Sequence, residues 1–450
     1  MFDDRCSLIN ELCSAEPLLL LQNQCAPERT HHNGRLTTII AMQPYPEISF
    51  DNTEFAFEYK SDKELKKARF LFSVMAKPWL VQPGIRLIPW SIKAGLPVKK
   101  LIRNTIFSQF VGGETLEETA VVAKKLGDYK VKVILDYGVE GGHNGEAGFD
   151  EACDIFIKVI EYSSTQRNIP FMSVKMTGLA RFGLLEKMHS LMNAATGTLM
   201  KRYRRAVEEL PVNEKQEWER VQERMMRICR AAESRNIGVM VDAEETWIQD
   251  PVDALTIMMM DTFNKQKCYI YNTIQHYRHD RLQFLKDSYE AALERKFILG
   301  SKLVRGAYME KERMRAQEKG YPSPIQPDKA SADHDYDEGV AFCLEHLETI
   351  ALIVASHNEH SNLLATKIMR DKRISLDHPH VHFSQLFGMS DNITFNLAHA
   401  GCSVSKYLPF GPIKDVIPYL MRRAQENTSV GGQTSRELAL IKKELLRRKN

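Results

Sequence analysis

An α/β fold with eight parallel strands closed into a (β/α)8 barrel is predicted by three features of this 450-residue chain. Eight short apolar segments recur between residues 131 and 408, helical stretches separate most of them, and several end in polar side chains that a core would exclude. With 43% hydrophobic residues, the chain can fill a core of that size.

Residues 1–41 mix cysteines, acids, histidines and a four-leucine run without a period, so they are expected to be an extension. A mitochondrial presequence would carry more arginine and fewer acids, and Leu18–Leu21 is too short for a signal peptide. Residues 42–125 form a helical region: Glu64–Phe72 and Leu116–Leu126 each space their apolar residues for one buried face. The barrel follows over 126–430. Its strands are predicted at Val131–Tyr137, Phe171–Met176, Gly238–Asp242, Tyr269–Ile274, Phe297–Arg305, Ile350–Ser356, Val381–Leu386 and Ser403–Leu408. Helices are predicted at Asp253–Phe263, Asp280–Arg295, Asp335–His346 and Ser361–Met369. The stretch Leu179–Asn236 exceeds one crossover, which predicts an insertion of one or two long helices. The tail, 431–450, is amphipathic and basic; it suits contact with an anionic membrane surface or a last helix packed on the barrel.

Composition narrows the chemistry. Sixty-one basic against fifty-eight acidic side chains leave a net charge of +3, too little for a general nucleic-acid binder. The cysteines at 6, 13, 25, 153, 229, 268, 343 and 402 form no CxxC pair, which argues against a disulfide scaffold or a structural metal and for a reducing compartment. No GxGxxG, GxxxxGK[ST] or HExxH occurs, so neither a Rossmann-bound nicotinamide nor a metal hydrolase is expected. No apolar run reaches the ~18 residues of a membrane span, so a soluble cytoplasmic protein is expected.

The polar strand ends are Lys175, Asp242 with Ala243 and Glu244, Gln275, Arg305-Gly306-Ala307-Tyr308, Ser356-His357-Asn358, and Gln385. In a closed parallel barrel they converge on one rim. Asp242 with Lys175 reads either as a structural ion pair or as a pair that orients an ammonium substrate and takes its proton. Arg305 beside two small residues suits a phosphate or a flavin ring. After the last strand, residues 415–427 place Tyr419, Arg422, Arg423 and Glu426 on one stripe of a helix. Two neighbouring guanidinium forks beside a tyrosine suit the carboxylate of a small amino acid.

Together these segments carry a resemblance. Val-Asp-Ala-Glu-Glu at 241–245, Lys-Leu-Val-Arg-Gly-Ala-Tyr at 302–308, Ala-Ser-His-Asn at 355–358, Gln-Leu-Phe-Gly-Met at 385–389, and Tyr-Leu-Pro-Phe-Gly-Pro at 407–412 followed by Tyr-Leu-Met-Arg-Arg-Ala-Gln-Glu-Asn closely resemble the proline dehydrogenases, in order, from about Phe50 to about Arg448. The resemblance implies a flavin-bearing barrel whose last helix lies over the active site. It implies FAD at Ala243, Gln275, Lys302, Val304, Arg305, Gly306, Ala307, Ser356, His357 and Asn358. It implies substrate contacts from Lys175, Leu386, Tyr407, Tyr419, Arg422, Arg423 and Glu426, with Asp242, Lys175 and Lys302 as catalytic polar groups. Lys302 falls where many bacterial members have arginine, and lysine lacks the bidentate fork. The implied reaction is oxidation of L-proline to 1-pyrroline-5-carboxylate, with electrons passed to a membrane quinone. Peripheral contact with the inner membrane, a mitochondrial location in a eukaryote and a separate pyrroline-5-carboxylate dehydrogenase downstream are further implications. Hydroxyproline dehydrogenases share the scaffold, and a Schiff-base lyase using Lys175 or Lys302 is an alternative of another class.

Overall fold

In the computed structural model the described residues are 45–77, 79, 81, 98–138, 145–429 and 433–450. The expected extension, 1–41, lies outside them. The strands are β1 (Lys132–Tyr137), β2 (Phe171–Val174), β3 (Gly238–Val241), β4 (Ile270–Gln275), β5 (Leu299–Val304), β6 (Ile350–Ala355), β7 (Val381–Leu386) and β8 (Val404–Phe410). Each pairs in parallel with the next, and β8 returns to β1, so the barrel is closed and has no edge. Register places Ile134 of β1 opposite Phe171 on one side and Tyr407 on the other. Inside, Ile134, Met240, Tyr271, Ile353 and Tyr407 meet in one apolar cluster, and that cluster is why residues of such bulk recur on the strands.

Each of the eight expected strands is present, with ends displaced by at most two residues and β7 as expected at both ends. β2 stops at Val174 because the chain turns through a 3₁₀ segment, Met176–Gly178, just past Lys175. The helix expected from Asp253 begins at Thr246, with Pro251 inside it. Proline there removes one helical N–H and reads in sequence as a break. As expected, the stretch Leu179–Asn236 exceeds one crossover: it holds three helices, Phe182–Ala194, Leu199–Glu209 and Val212–Arg235, the last of 24 residues. Gly197, at φ +112°, and Pro211 mark the breaks between the three helices.

The N-terminal helix Asp62–Met75 begins with a capping box between Ser61 and Glu64, worth about 1 kcal/mol. Its buried face, Leu65, Ala68 and Phe72, joins Phe107 and Phe110 in a second core. That core also takes Val416 and Leu420 of the helix Ile413–Ser429, and Leu440 and Ile441 of the helix Gln433–Arg447. The tail therefore spends its apolar stripe inside the molecule, so of the two readings its sequence left open the structure favours the packed last helix. Arg448 fixes it further, donating to the carbonyls of Phe57 and Lys60, each at 2.8 Å.

The helix Ile413–Ser429 follows β8 through Gly411 (φ +135°) and Pro412. Residues 112–113 run beside the end of β8, with Gly112 N–H donating to Pro409 O at 2.8 Å. They lead into the helix Leu116–Asp128, which packs outside β1. Thus the outer position beside β8 and β1 is filled from the N-terminal side, and the last helix is released to cross the mouth.

Candidate active site at the barrel mouth

Two carboxylates and two ammonium groups meet where β1, β2, β3, β5 and β8 end. Lys302 Nζ donates to Asp242 Oδ1 at 2.5 Å, and Tyr407 OH donates to Asp242 Oδ2 at 2.6 Å. Lys175 Nζ lies 2.8 Å from Asp136 Oδ1, 3.3 Å from Asp242 Oδ2 and 3.4 Å from Tyr407 OH. Ser173 Oγ closes the ring at 2.9 Å from Asp136 Oδ1. All six residues are buried. Their formal charges cancel, as burial at low dielectric requires. Burial alone would raise the Asp242 carboxyl, but the Lys302 and Lys175 ammonium groups and the bonds from Lys302 and Tyr407 hold it at about 2.

Asp242, Lys175 and Lys302 are therefore brought together, with Tyr407 among them. Asp136, Ser173 and Tyr308 were missed by sequence reasoning. Asp136 stands at the end of an apolar strand, the signal used for the other tips, and was not read there. Tyr308 lay within a quoted motif and had no role assigned.

The residues expected around a flavin lie along the tips of β3, β4, β5 and β6. Gln275 ends β4, 2% exposed; its Nε2 donates to Glu244 O at 3.1 Å, while its Oε1 has no partner. Val304 is half-buried, Gly306 and Ala307 are exposed, and Ala243 is half-buried at the end of β3. Gly306 (φ +138°) could carry no side chain, since a Cβ would stand 2.3 Å from the Tyr277 ring. Arg305 donates to Asp333 at 2.6 Å, Ser356 Oγ at 3.0 Å and Ser361 Oγ at 2.9 Å. Asn358 uses its side-chain carbonyl to cap the helix Glu359–Asp371. His357 bridges Ser390 Oγ at 2.8 Å and the Leu386 N–H at 3.4 Å.

The arginine stripe reaches this rim from the helix Ile413–Ser429. The Arg422 guanidinium carbon lies 5.7 Å from the Tyr308 ring, just past β5 and across the barrel from β8 where the helix begins. Arg423 lies 5.2 Å from the Tyr419 ring and is 6% exposed, and its charge helps hold His357 neutral past β6. The side chain of Glu426 lies outside the described residues. An open cleft of about 1240 Å³ between the insertion helices and the helix Met309–Lys319, lined by Arg202, Trp247, Asp250 and Arg278 among others, includes none of the expected site residues.

Glu244 shows a buried acid at the same rim: burial pushes its carboxyl up to about 7 against hydrogen bonds from Thr177. A carboxyl raised in the folded state binds its proton more tightly there than when unfolded. That contribution is complete below the ordinary value of 4.5 and is lost as pH rises through about 7. Glu244→Gln, neutral throughout, is expected to gain stability relative to the native protein between about pH 5 and about pH 8. Urea unfolding of both proteins across that range checks it; a constant difference would refute the assignment.

A family model described as proline dehydrogenase matches residues 120–436. A mitochondrial proline dehydrogenase 1 of Dictyostelium discoideum is 33% identical over 387 residues, covering 79% of this chain and 67% of the relative. A hydroxyproline dehydrogenase of Xenopus laevis is 31% identical over 435 residues, covering 92% of both. Among solved structures, proline utilization A of Bdellovibrio bacteriovorus aligns with TM-score 0.62 at 20% identity, over 85% of this chain and 38% of that one. At that identity the likeness shows the fold, and this chain spans little more than a third of that protein's length.

Proposed function

The chain belongs to the proline dehydrogenase family, and from that premise we propose that it oxidises L-proline to 1-pyrroline-5-carboxylate with bound FAD. The observation that supports this reading best is the pair of arginines, Arg422 and Arg423, presented across the mouth above a buried network centred on Asp242. Two guanidinium forks hold the substrate carboxylate. With one end fixed, the carbon bonded to nitrogen is placed over the strand tips, and the loss of translational and rotational freedom is met on binding. Tyr419, Tyr407 and Leu386 flank the ring.

The donors and acceptors at the rim fit a flavin. Gln275 Oε1 is a buried acceptor without a donor, suited to a ring imide N–H, while Gly306 and Ala307 leave backbone open to close approach. Lys302, Arg305, Val304, Ala243, Ser356, His357 and Asn358 complete the set we assign to it. When bound, the flavin supplies a hydride acceptor. The protein's own part is electrostatic. Asp242, held at about 2, stays ionised and is too weak a base to take the substrate's proton, so in place of the proton-accepting role read from sequence we assign it that of a fixed anion. That anion stabilises the cationic imine as it forms and holds Lys302 and Tyr407 in place. Lys175 holds its ammonium between Asp136 and Asp242. The substrate amine enters unprotonated.

A Schiff-base lyase is disfavoured, because Lys175 and Lys302 both have Nζ engaged in ion pairs with buried carboxylates, which leaves neither placed to attack a carbonyl. For discrimination against hydroxyproline we assign Tyr407, whose phenol fills space beside the substrate ring. Tyr407→Ser is expected to raise the hydroxyproline-to-proline ratio of kcat/KM about tenfold. An unchanged ratio would count against the role.

Among the described residues no helix is long and apolar enough to cross a membrane. We propose a membrane quinone as electron acceptor, a mitochondrial location in a eukaryote, and a separate pyrroline-5-carboxylate dehydrogenase as consumer of the product. The test of the activity is direct: the purified protein should be yellow, and L-proline without oxygen should bleach it and yield a cyclic imine lighter than proline by two hydrogens. A colourless protein that forms no imine would overturn the reading.

A further inference from the structure

The C-terminal helix Gln433–Arg447 looks, from its packing, like a structural strut. One of its residues is different. Glu437 is 4% exposed and reaches the loop after β7, where its Oε1 accepts the backbone N–H of Ser390. Ser390 has φ +50° and ψ +46°, a left-handed conformation that a residue with a Cβ adopts only when its surroundings impose it. The same loop is pinned from the other side at Gly388 (φ +80°), where an added Cβ would stand 2.0 Å from Gln109 O. Held this way, Ser390 turns its hydroxyl to His357 Nδ1 at 2.8 Å. The other ring nitrogen faces the Leu386 N–H at 3.4 Å, and a backbone N–H can only donate. Nε2 is therefore the acceptor, Nδ1 carries the proton, and Ser390 Oγ receives it. Burial, with Lys406 and Arg423 nearby, keeps the ring neutral, down to about 3.

We propose that Glu437 is a positioning residue of the active site: through Ser390 it fixes the tautomer and ring plane of His357 at the flavin, so that the C-terminal helix takes part in holding the cofactor. The inference rests on the assignment of His357 to the flavin. Buried Asp391 surrounds the same corner with Lys60 and Lys406, at 2.8 and 2.9 Å, and Tyr59 donates to it at 2.8 Å, so the corner has an ionic frame that persists without Glu437.

Four variants of the holoenzyme test this. Glu437→Gln keeps an acceptor for the Ser390 N–H, whereas Glu437→Leu removes it; Ser390→Gly keeps the left-handed backbone and removes only the hydroxyl. The fourth is the Glu437→Leu/Ser390→Gly double variant. On dilution, FAD is expected to leave Glu437→Leu and Ser390→Gly about tenfold faster than the native protein, the loss of a single hydrogen-bonded restraint. The double variant should be no worse than the poorer single, because both break one relay. Glu437→Gln should release FAD at the native rate. The fine structure of the visible flavin band should blur in the same variants and recover in Glu437→Gln. Ser390→Gly tests the relay even if Glu437→Leu does not fold. Native release rates in Ser390→Gly, or additive effects in the double variant, would overturn the relay while leaving the flavin reading intact; a native protein that holds no FAD would overturn both.

Discussion

Replacing Arg423 by Met is expected to raise KM for proline about a hundredfold, with FAD still bound and kcat less affected. A charge-assisted hydrogen bond to a carboxylate is worth about 1.5–3 kcal/mol, and the upper part of that range corresponds to two powers of ten. Arg423 is buried against Tyr419, and Met conserves most of its packing, so the loss falls on substrate binding. Arg422 lies over Tyr308 and is half-buried; Arg422→Met is expected to act in the same sense. Lysine at either position keeps the charge and loses the fork, so partial recovery is expected. Steady-state kinetics with a measured flavin content separate these outcomes, and a native KM in both methionine variants would refute the clamp.

Asp242→Asn is expected to lower kcat about a hundredfold, a size seen when one preorganised electrostatic partner is removed, and also to lower stability. Lys175 would keep Asp136, but the described network gives Lys302 no other carboxylate, and an uncompensated buried charge costs about 3–5 kcal/mol. The pH dependence has a definite sign. A carboxyl depressed in the folded state stabilises above its ordinary value of 3.8, and that contribution drains away as pH falls toward about 2. The stability difference between native protein and Asp242→Asn should therefore be largest near neutrality and narrow below about pH 4. Chemical unfolding at several pH values measures it; a difference that widens in acid would contradict the assignment.

The barrel was legible because its strands are continuous apolar runs buried on both faces, a pattern that a parallel sheet demands and that turn residues bracket. Strand and helix ends were less so: Pro251 hides the first turns of its helix, and Lys175 belongs to the loop after β2 although it continues an apolar-polar alternation. Pairing was the least legible. Lys175 and Asp242 were read as partners and do lie 3.3 Å apart, yet the shorter bonds run from Lys302 to Asp242 and from Lys175 to Asp136, because register across a closed barrel decides which tips face one another. The tail shows the same limit. Its amphipathic period fits a membrane surface or a protein core equally, and only the N-terminal helices, distant in sequence, decide between them.

The most direct measurement is the rate at which L-proline bleaches the bound flavin without oxygen, followed in the visible band over a range of proline concentrations, in the native protein and in Arg423→Met. The clamp predicts full bleaching in both, with the proline concentration for half-maximal bleaching rate about a hundredfold higher in the variant. Equal half-maximal concentrations, or a native protein without a flavin band to bleach, would contradict it.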